Sequence, residues 1–143
     1  MKKSLMLIAL CVGLAQPALA STATATTLYD KLGGKESIRA VMDDFVSRVA
    51  ADPRIGDQFR NTNAIRLSAL LTEQVCEATG GPCKYAGQDM KSAHAGMTIT
   101  KAHFNALVEV LIASMQAKGV PFALQTDVLA LLAPMHRDVI TVK

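Results

Sequence analysis

The strongest constraint on this chain is the spacing of its apolar residues after a double glycine. Following Gly33-Gly34, Ile38, Val41, Met42, Phe45, Val46 and Val49 recur at offsets 0, 3, 4, 7, 8 and 11. Residues three and four apart share one face of a helix but alternate across a strand, so this stripe specifies a helix with one buried face. Asp52-Pro53 ends it, because proline disfavours helix at the residue before it. A short piece from Pro53 to Phe59 follows, and Asn61-Thr62-Asn63 supplies caps for the next helix. There Leu67, Leu70, Leu71, Val75 and Ala78 repeat at helical spacing until Gly80-Gly81-Pro82. Thr100 opens a long helix with Phe104, Leu107, Val108, Leu111, Ile112 and Met115 inward, and Gly119 closes it. Pro121 suits the first turn of a last helix. Its stripe is Leu124, Val128, Leu131, Leu132 and Met135, with a kink at Pro134. There is no alternating strand pattern and no internal repeat, so the expectation is a single all-α domain.

One stretch does not fit a simple four-helix bundle. The 16 residues from Cys83 to Thr98 are irregular, with at most a short helix around Gln88–Ala95. They are too long for an ordinary bundle turn, and long segments of this kind in small domains commonly hold something.

The first residues read as an export leader. Met1-Lys2-Lys3 is a positive start, Leu5 to Ala15 is an apolar run of 11 residues, and Ala18-Leu19-Ala20 is a small-x-small cleavage signal. The run is too short to span about 30 Å of hydrocarbon. Lipid attachment at Cys11 is disfavoured by the bulk of Leu10. Residues 1–20 are therefore expected to be a signal peptide, 21–27 a loose tail and 28–143 the domain. This places the mature protein in the periplasm, with no membrane association after cleavage. The chain has 15 Lys and Arg against 12 Asp and Glu. Two of those lysines belong to the leader, which leaves a near-neutral domain with no basic cluster. Nucleic-acid binding has no footprint. Asp43 and Asp44 diverge on their helix and read as a solvated face.

Three histidines are candidate ligands. His103 adjoins inward Phe104 and is expected to point outward, and His136 reads as a surface residue near the C-terminus. His94 lies in Ala93-His94-Ala95-Gly96, where small neighbours let a flat ligand approach closely. An ordinary structural histidine fits that position as well. A lone imidazole cannot build a four-ligand zinc site, whereas haem brings four donors of its own and needs one strong protein ligand. A c-type attachment is excluded by the lack of Cys-x-x-Cys-His. Cys76 and Cys83 flank the Gly80-Gly81-Pro82 turn. In an oxidising compartment they can form a disulfide worth about 2–3 kcal/mol, or remain two unpaired thiols.

These residues together resemble the group 1 truncated haemoglobins over about residues 28–140. The resemblance opens with Leu28-Tyr29-Asp30-Lys31-Leu32-Gly33-Gly34 and continues through Asp44-Phe45, Arg48-Val49, Phe59, Thr62-Asn63, Arg66-Leu67 and Gly80-Gly81-Pro82. Its most specific segment is Tyr85-Ala86-Gly87, Met90-Lys91, Ala93-His94, Ile99-Thr100 and His103-Phe104. It implies a two-over-two helical sandwich around non-covalent haem b, with His94 as the proximal iron ligand. The second ring nitrogen should donate to a backbone carbonyl, with Met90 the candidate. Phe45, Phe59, Leu67, Leu71, Met97, Ile99, Phe104 and Val108 are implied pocket walls. Thr62, Arg66, Tyr85 and Lys91 are implied at the propionate edge.

The distal side departs from the family. Val46 stands where the family's tyrosine is usual. Leu67 and Leu71 replace its glutamines, and Leu70 occupies a position where some relatives carry a second iron ligand. Of the polar residues on that helix, Ser68, Thr72 and Gln74, only Gln74 is expected to reach inward. The implied function is reversible binding of O2, CO or NO by an exported haem protein, a monomer or weak dimer served by an unknown reductant. The rival readings are an NO dioxygenase or peroxidase, and a haem-based sensor or electron-transfer module with Met42 as sixth ligand. A peroxidase needs a distal acid or base, and none stands among Val46, Leu67, Leu70 and Leu71.

Overall fold

The computed structural model describes residues 25–142, so the leader and most of the tail lie outside the described residues. The described chain is helical and contains no strand. A one-turn helix α1, Leu28–Lys31, is capped by Thr27, a residue the sequence assigned to the tail, through a capping box with Asp30. The long helices are α2, Gly34–Ala51, and α3, Ala64–Ala78, joined through a 3-10 turn at Gly56–Phe59. A single turn α4, Met90–Ala93, interrupts the irregular stretch before α5, Lys101–Ala117. The last helix α6, Phe122–Leu132, runs into a 3-10 turn at Ala133–Met135 and a final turn α7, His136–Val139. Pro121 is the N-cap of α6 rather than its first helical residue. Pro134 does not merely kink the helix: it converts it to the tighter 3-10 turn.

Helix α2 is the centre of the fold. All six residues of its stripe, from Ile38 to Val49, are buried, and each removes an apolar side chain worth about 1.5–3 kcal/mol from water. Both α3 and α5 pack on α2, yet they make little contact with each other. That leaves a flank on each helix which α2 does not cover.

The face of α3 that meets α2 differs from the leucine stripe read from sequence. Ser68, Thr72, Val75 and Cys76 are buried, Leu67, Leu70 and Leu71 are half-buried, and Ala78 is exposed. Small hydroxyl side chains allow close helix approach, and both are satisfied. Ser68 donates to the Asp43 carboxylate on α2, and Thr72 donates to the Ser68 carbonyl at 2.7 Å. On α5 the buried set is Ala106, Val110, Leu111, Ser114 and Met115, while Phe104, Leu107, Val108 and Ile112 are half-buried. In α6 the exposed Leu131 is replaced in the core by Gln125, whose amide donates to the Val120 carbonyl at 2.7 Å.

Asp43 and Asp44 diverge as adjacent helical residues must, but they do more than face water. Asp43 accepts from Ser68 and from Arg39 at 2.9 Å. Asp44 accepts from Arg48 at 2.5 Å, with Lys118 at 3.8 Å beyond the end of α5. The Ser68 hydroxyl, with help from Arg39, holds Asp43 below the usual carboxylate range. The Arg48 bond does the same for Asp44.

At the end of α3 the Gly80-Gly81 corner is closed on both sides. A side chain at Gly81 would meet the Tyr29 ring at 2.5 Å and the Cys76 sulfur at 2.7 Å, so only glycine fits there. Cys76 and Cys83 are joined by a disulfide that ties α3 to the start of the segment leading to α4.

Two outcomes follow. Ser68→Ala should destabilise the protein by about 1 kcal/mol at neutral pH, read from thermal melts. A carboxylate with a lowered folded pKa contributes stability above its unfolded pKa and loses it as pH falls. The difference between wild type and Ser68→Ala should therefore shrink below the ordinary aspartate value of 3.8. A difference that grows on acidification would remove Asp43 from the account. Separately, protein lacking residues 1–20 should titrate as no free thiol without reductant and as two after reduction, Cys76 and Cys83. Two free thiols in non-reduced, periplasm-derived material would contradict the bridge.

Candidate haem site

The segment after the disulfide delivers His94. Asp89 caps α4 by accepting from the Ser92 amide at 2.9 Å and from its hydroxyl at 2.7 Å. His94 follows as the residue that ends this turn, half-buried, with exposed Ala93, Ala95 and Gly96 about it. Gly96 turns the chain away in the left-handed region, φ 78°. His94 Nδ1 lies 2.6 Å from the Met90 carbonyl oxygen. A carbonyl only accepts, so Nδ1 carries the proton and donates. A neutral imidazole in that tautomer keeps its Nε2 lone pair for a metal. The spacing of four residues seen in sequence thus becomes a bond that orients the ring.

Among the described residues no group of three or more His, Cys, Asp or Glu can hold a metal ion. A metal at His94 must bring its other donors with it, which a planar tetrapyrrole does. The apolar walls suit such a group. Phe45 and Val46 on α2 are buried in the core, and Phe59, Leu67, Leu71 and Leu107 rest against that core half-exposed. Leu70, Met97, Phe104 and Val108 are also half-buried, and Ile99 is buried. Ile99 is pinned by the C-terminal segment, its carbonyl accepting from the amides of Thr141 at 2.9 Å and Val142 at 3.0 Å. Apolar side chains on the uncovered flanks of α3 and α5 are what a flat, largely apolar cofactor would cover.

The polar candidates divide. Thr62, Arg66 and Lys91 are exposed, and neither Arg66 nor Lys91 forms an ion pair among the described residues. They are free to meet a propionate. Tyr85 is already engaged. Its hydroxyl donates to the Gln88 carbonyl at 2.8 Å, and burial, then the carboxylates of Asp89 and Glu73, raise its pKa. Gln74 does not extend to the side of Val46 as expected. Its amide nitrogen is 3.5 Å from the Met90 sulfur and 3.6 Å from the Met135 sulfur, on the His94 side.

Of the other two histidines, one differs from its sequence reading. His103 is half-buried, not outward: its Nδ1 accepts from the Thr100 amide at 3.3 Å and completes the capping box of α5. His136 is exposed as expected, with its ring 6.3 Å from that of Phe104. Met42 is committed to packing, lining a small void with Val75, Met115, Val120 and Val128. The signal that sequence reasoning missed was that Ser68, Thr72 and Cys76 join Val75 on a second stripe of α3, at offsets as helical as those of the leucines.

Comparison with known proteins agrees with this geometry. Residues 27–141 match the family described as bacterial-like globin. The group 1 truncated hemoglobin of Mycolicibacterium paratuberculosis is 34% identical over 119 residues, covering 83% of this chain and 88% of the relative. That of Tetrahymena pyriformis is 32% identical over 114 residues, 80% of this chain and 94% of the relative. The crystal structure of the Tetrahymena pyriformis truncated hemoglobin in its Fe(III) form superimposes with a TM-score of 0.76 at 32% identity. It covers 80% of this chain and 97% of that one. With the helical order, the shared flanks of α3 and α5 and the tethered imidazole of His94 already in place, these likenesses establish that the chain belongs to the group 1 truncated haemoglobins of the bacterial-like globin family.

Proposed function

We propose that this globin is an exported haem protein that binds O2, CO or NO reversibly in an apolar distal pocket, with His94 as its only protein ligand to iron. Membership of the family carries haem-based gas binding in general. The observation behind the finer reading is where the polar side chains of α3 that stand beside its leucines are bonded. Ser68 and Thr72 donate within the α2–α3 interface. Gln74 turns to Met90 and Met135. Val46, Leu67, Leu70 and Leu71 carry no donor. When bound, haem supplies an open coordination position at iron where a diatomic gas can add and leave.

The residues of this chain do the rest. His94, tethered through Nδ1 to Met90, would hold haem iron through its free Nε2. The apolar walls would exclude water from the bound group. Arg66 and Lys91 offer positive charge to the propionates at the exposed edge. Export is supported by the leader pattern at residues 1–20 and by the Cys76–Cys83 disulfide, which suits an oxidising compartment. No helix among the described residues is long and apolar enough to cross a membrane.

The ligand assignment is tested by His94→Ala expressed with haem supplied. It should lose the five-coordinate imidazole spectrum of the ferrous protein, whereas His103→Ala and His136→Ala keep it. An unchanged spectrum in His94→Ala would overturn the assignment. The apolar pocket is tested by gas release. A hydrogen bond to a charged or strongly polarised group contributes about 1.5–3 kcal/mol, or roughly 10- to 150-fold. Wild type should release O2 fast and discriminate weakly in its favour against CO. Val46→Tyr should slow O2 release about tenfold or more and change CO release little. Leu71→Gln should act in the same direction more weakly, and it guards against misfolding of the larger tyrosine. Slow O2 release by wild type would mean that a donor stands in the pocket.

A further inference from the structure

We propose that Gln74 is a positioning residue on the proximal side: its amide, bonded to the thioethers of Met90 and Met135, holds α4 where His94 can reach iron. The inference rests on His94 being the iron ligand. Gln74 sits on the half-buried flank of α3 among Leu67, Leu70 and Leu71, where an amide costs desolvation unless it is bonded. A primary amide has two N–H donors, and two sulfurs lie within bonding reach at 3.5 and 3.6 Å.

Met90 is the link. Its side chain meets Gln74, and its carbonyl accepts from His94 Nδ1 at 2.6 Å. Any shift of residue 90 therefore moves the imidazole. Helix α4 is a single turn of four residues, too short to hold itself. Its place depends on the Asp89 cap, on packing against α7, and on this contact with α3. Met135 stands in the 3-10 turn just before α7. One amide thus ties three separate segments, α3, α4 and the turn leading into α7, around the ring.

The test uses the full haem-loaded protein in its ferrous state, with Gln74→Leu, Met90→Leu and the double variant. Leucine keeps volume at both positions and removes the N–H···S bond. The iron–histidine stretching band, read by resonance Raman, should shift in each single variant, and the double variant should shift no further than the larger single one. Amides of Ala93 and His94, which bond to the carbonyls of Asp89 at 2.9 Å and Met90 at 3.2 Å, should exchange with solvent about fivefold faster in Gln74→Leu. Amides in the middle of α2 should not change. An unchanged band and unchanged exchange in Gln74→Leu, or additive shifts in the double variant, would overturn the clamp. His94→Ala in the same series separates the two claims. If it keeps the band, the ligand assignment fails, whatever Gln74→Leu does.

Discussion

Everything in this fold depends on one helix face serving two partners. The stripe of α2 from Ile38 to Val49 is buried against both α3 and α5. A helix that turns its best face to a shared neighbour has only its flank to offer the other helix. The two flanks carry Leu67, Leu70 and Leu71 on one side and Phe104, Leu107 and Val108 on the other, all half-buried. In a chain of this size such surface calls for a cover, and a flat apolar cofactor provides one. The same arrangement explains why the irregular stretch exists. It must carry the chain from the end of α3 to the start of α5 and leave a ligand on the way.

Around that apolar space the polar groups satisfy one another. Ser68 bonds Asp43, Thr72 bonds its own helix, Gln74 bonds two sulfurs and Tyr85 bonds the turn that precedes α4. Each of these groups would cost free energy if buried without a partner. None of their donor hydrogens remains for a gas molecule. His94 is the converse case: one nitrogen is held by Met90, and the other keeps its lone pair. On the function proposed above, the chemistry at this site would come from one directed lone pair within apolar walls.

The helix order was legible in the sequence because apolar periodicity reports the buried face of an isolated helix. The Met90 carbonyl was legible too, since a ring nitrogen four residues on falls back over it. The errors share a cause. Leu67, Leu70 and Leu71 are the most apolar residues of α3, yet the closest packing belongs to Ser68 and Thr72, which hydropathy counts as polar. Small hydroxyls that satisfy themselves pack like alanine, and the apolar pattern cannot see that. Gln125 and Leu131 exchange roles for the same reason: an amide with a carbonyl in reach is cheaper to bury than periodicity suggests. Gln74 was misplaced because its partners, Met90 and Met135, are 16 and 61 residues away. No local pattern encodes a contact of that range.

The central claim is that a single imidazole holds iron in a pocket without a second protein ligand. The absorption spectrum of purified ferrous protein, before and after CO, tests it most directly. The account predicts a five-coordinate high-spin haem that converts wholly to a six-coordinate species on adding CO. A six-coordinate low-spin spectrum in the ferrous protein before any gas is added would show a second protein ligand and contradict it.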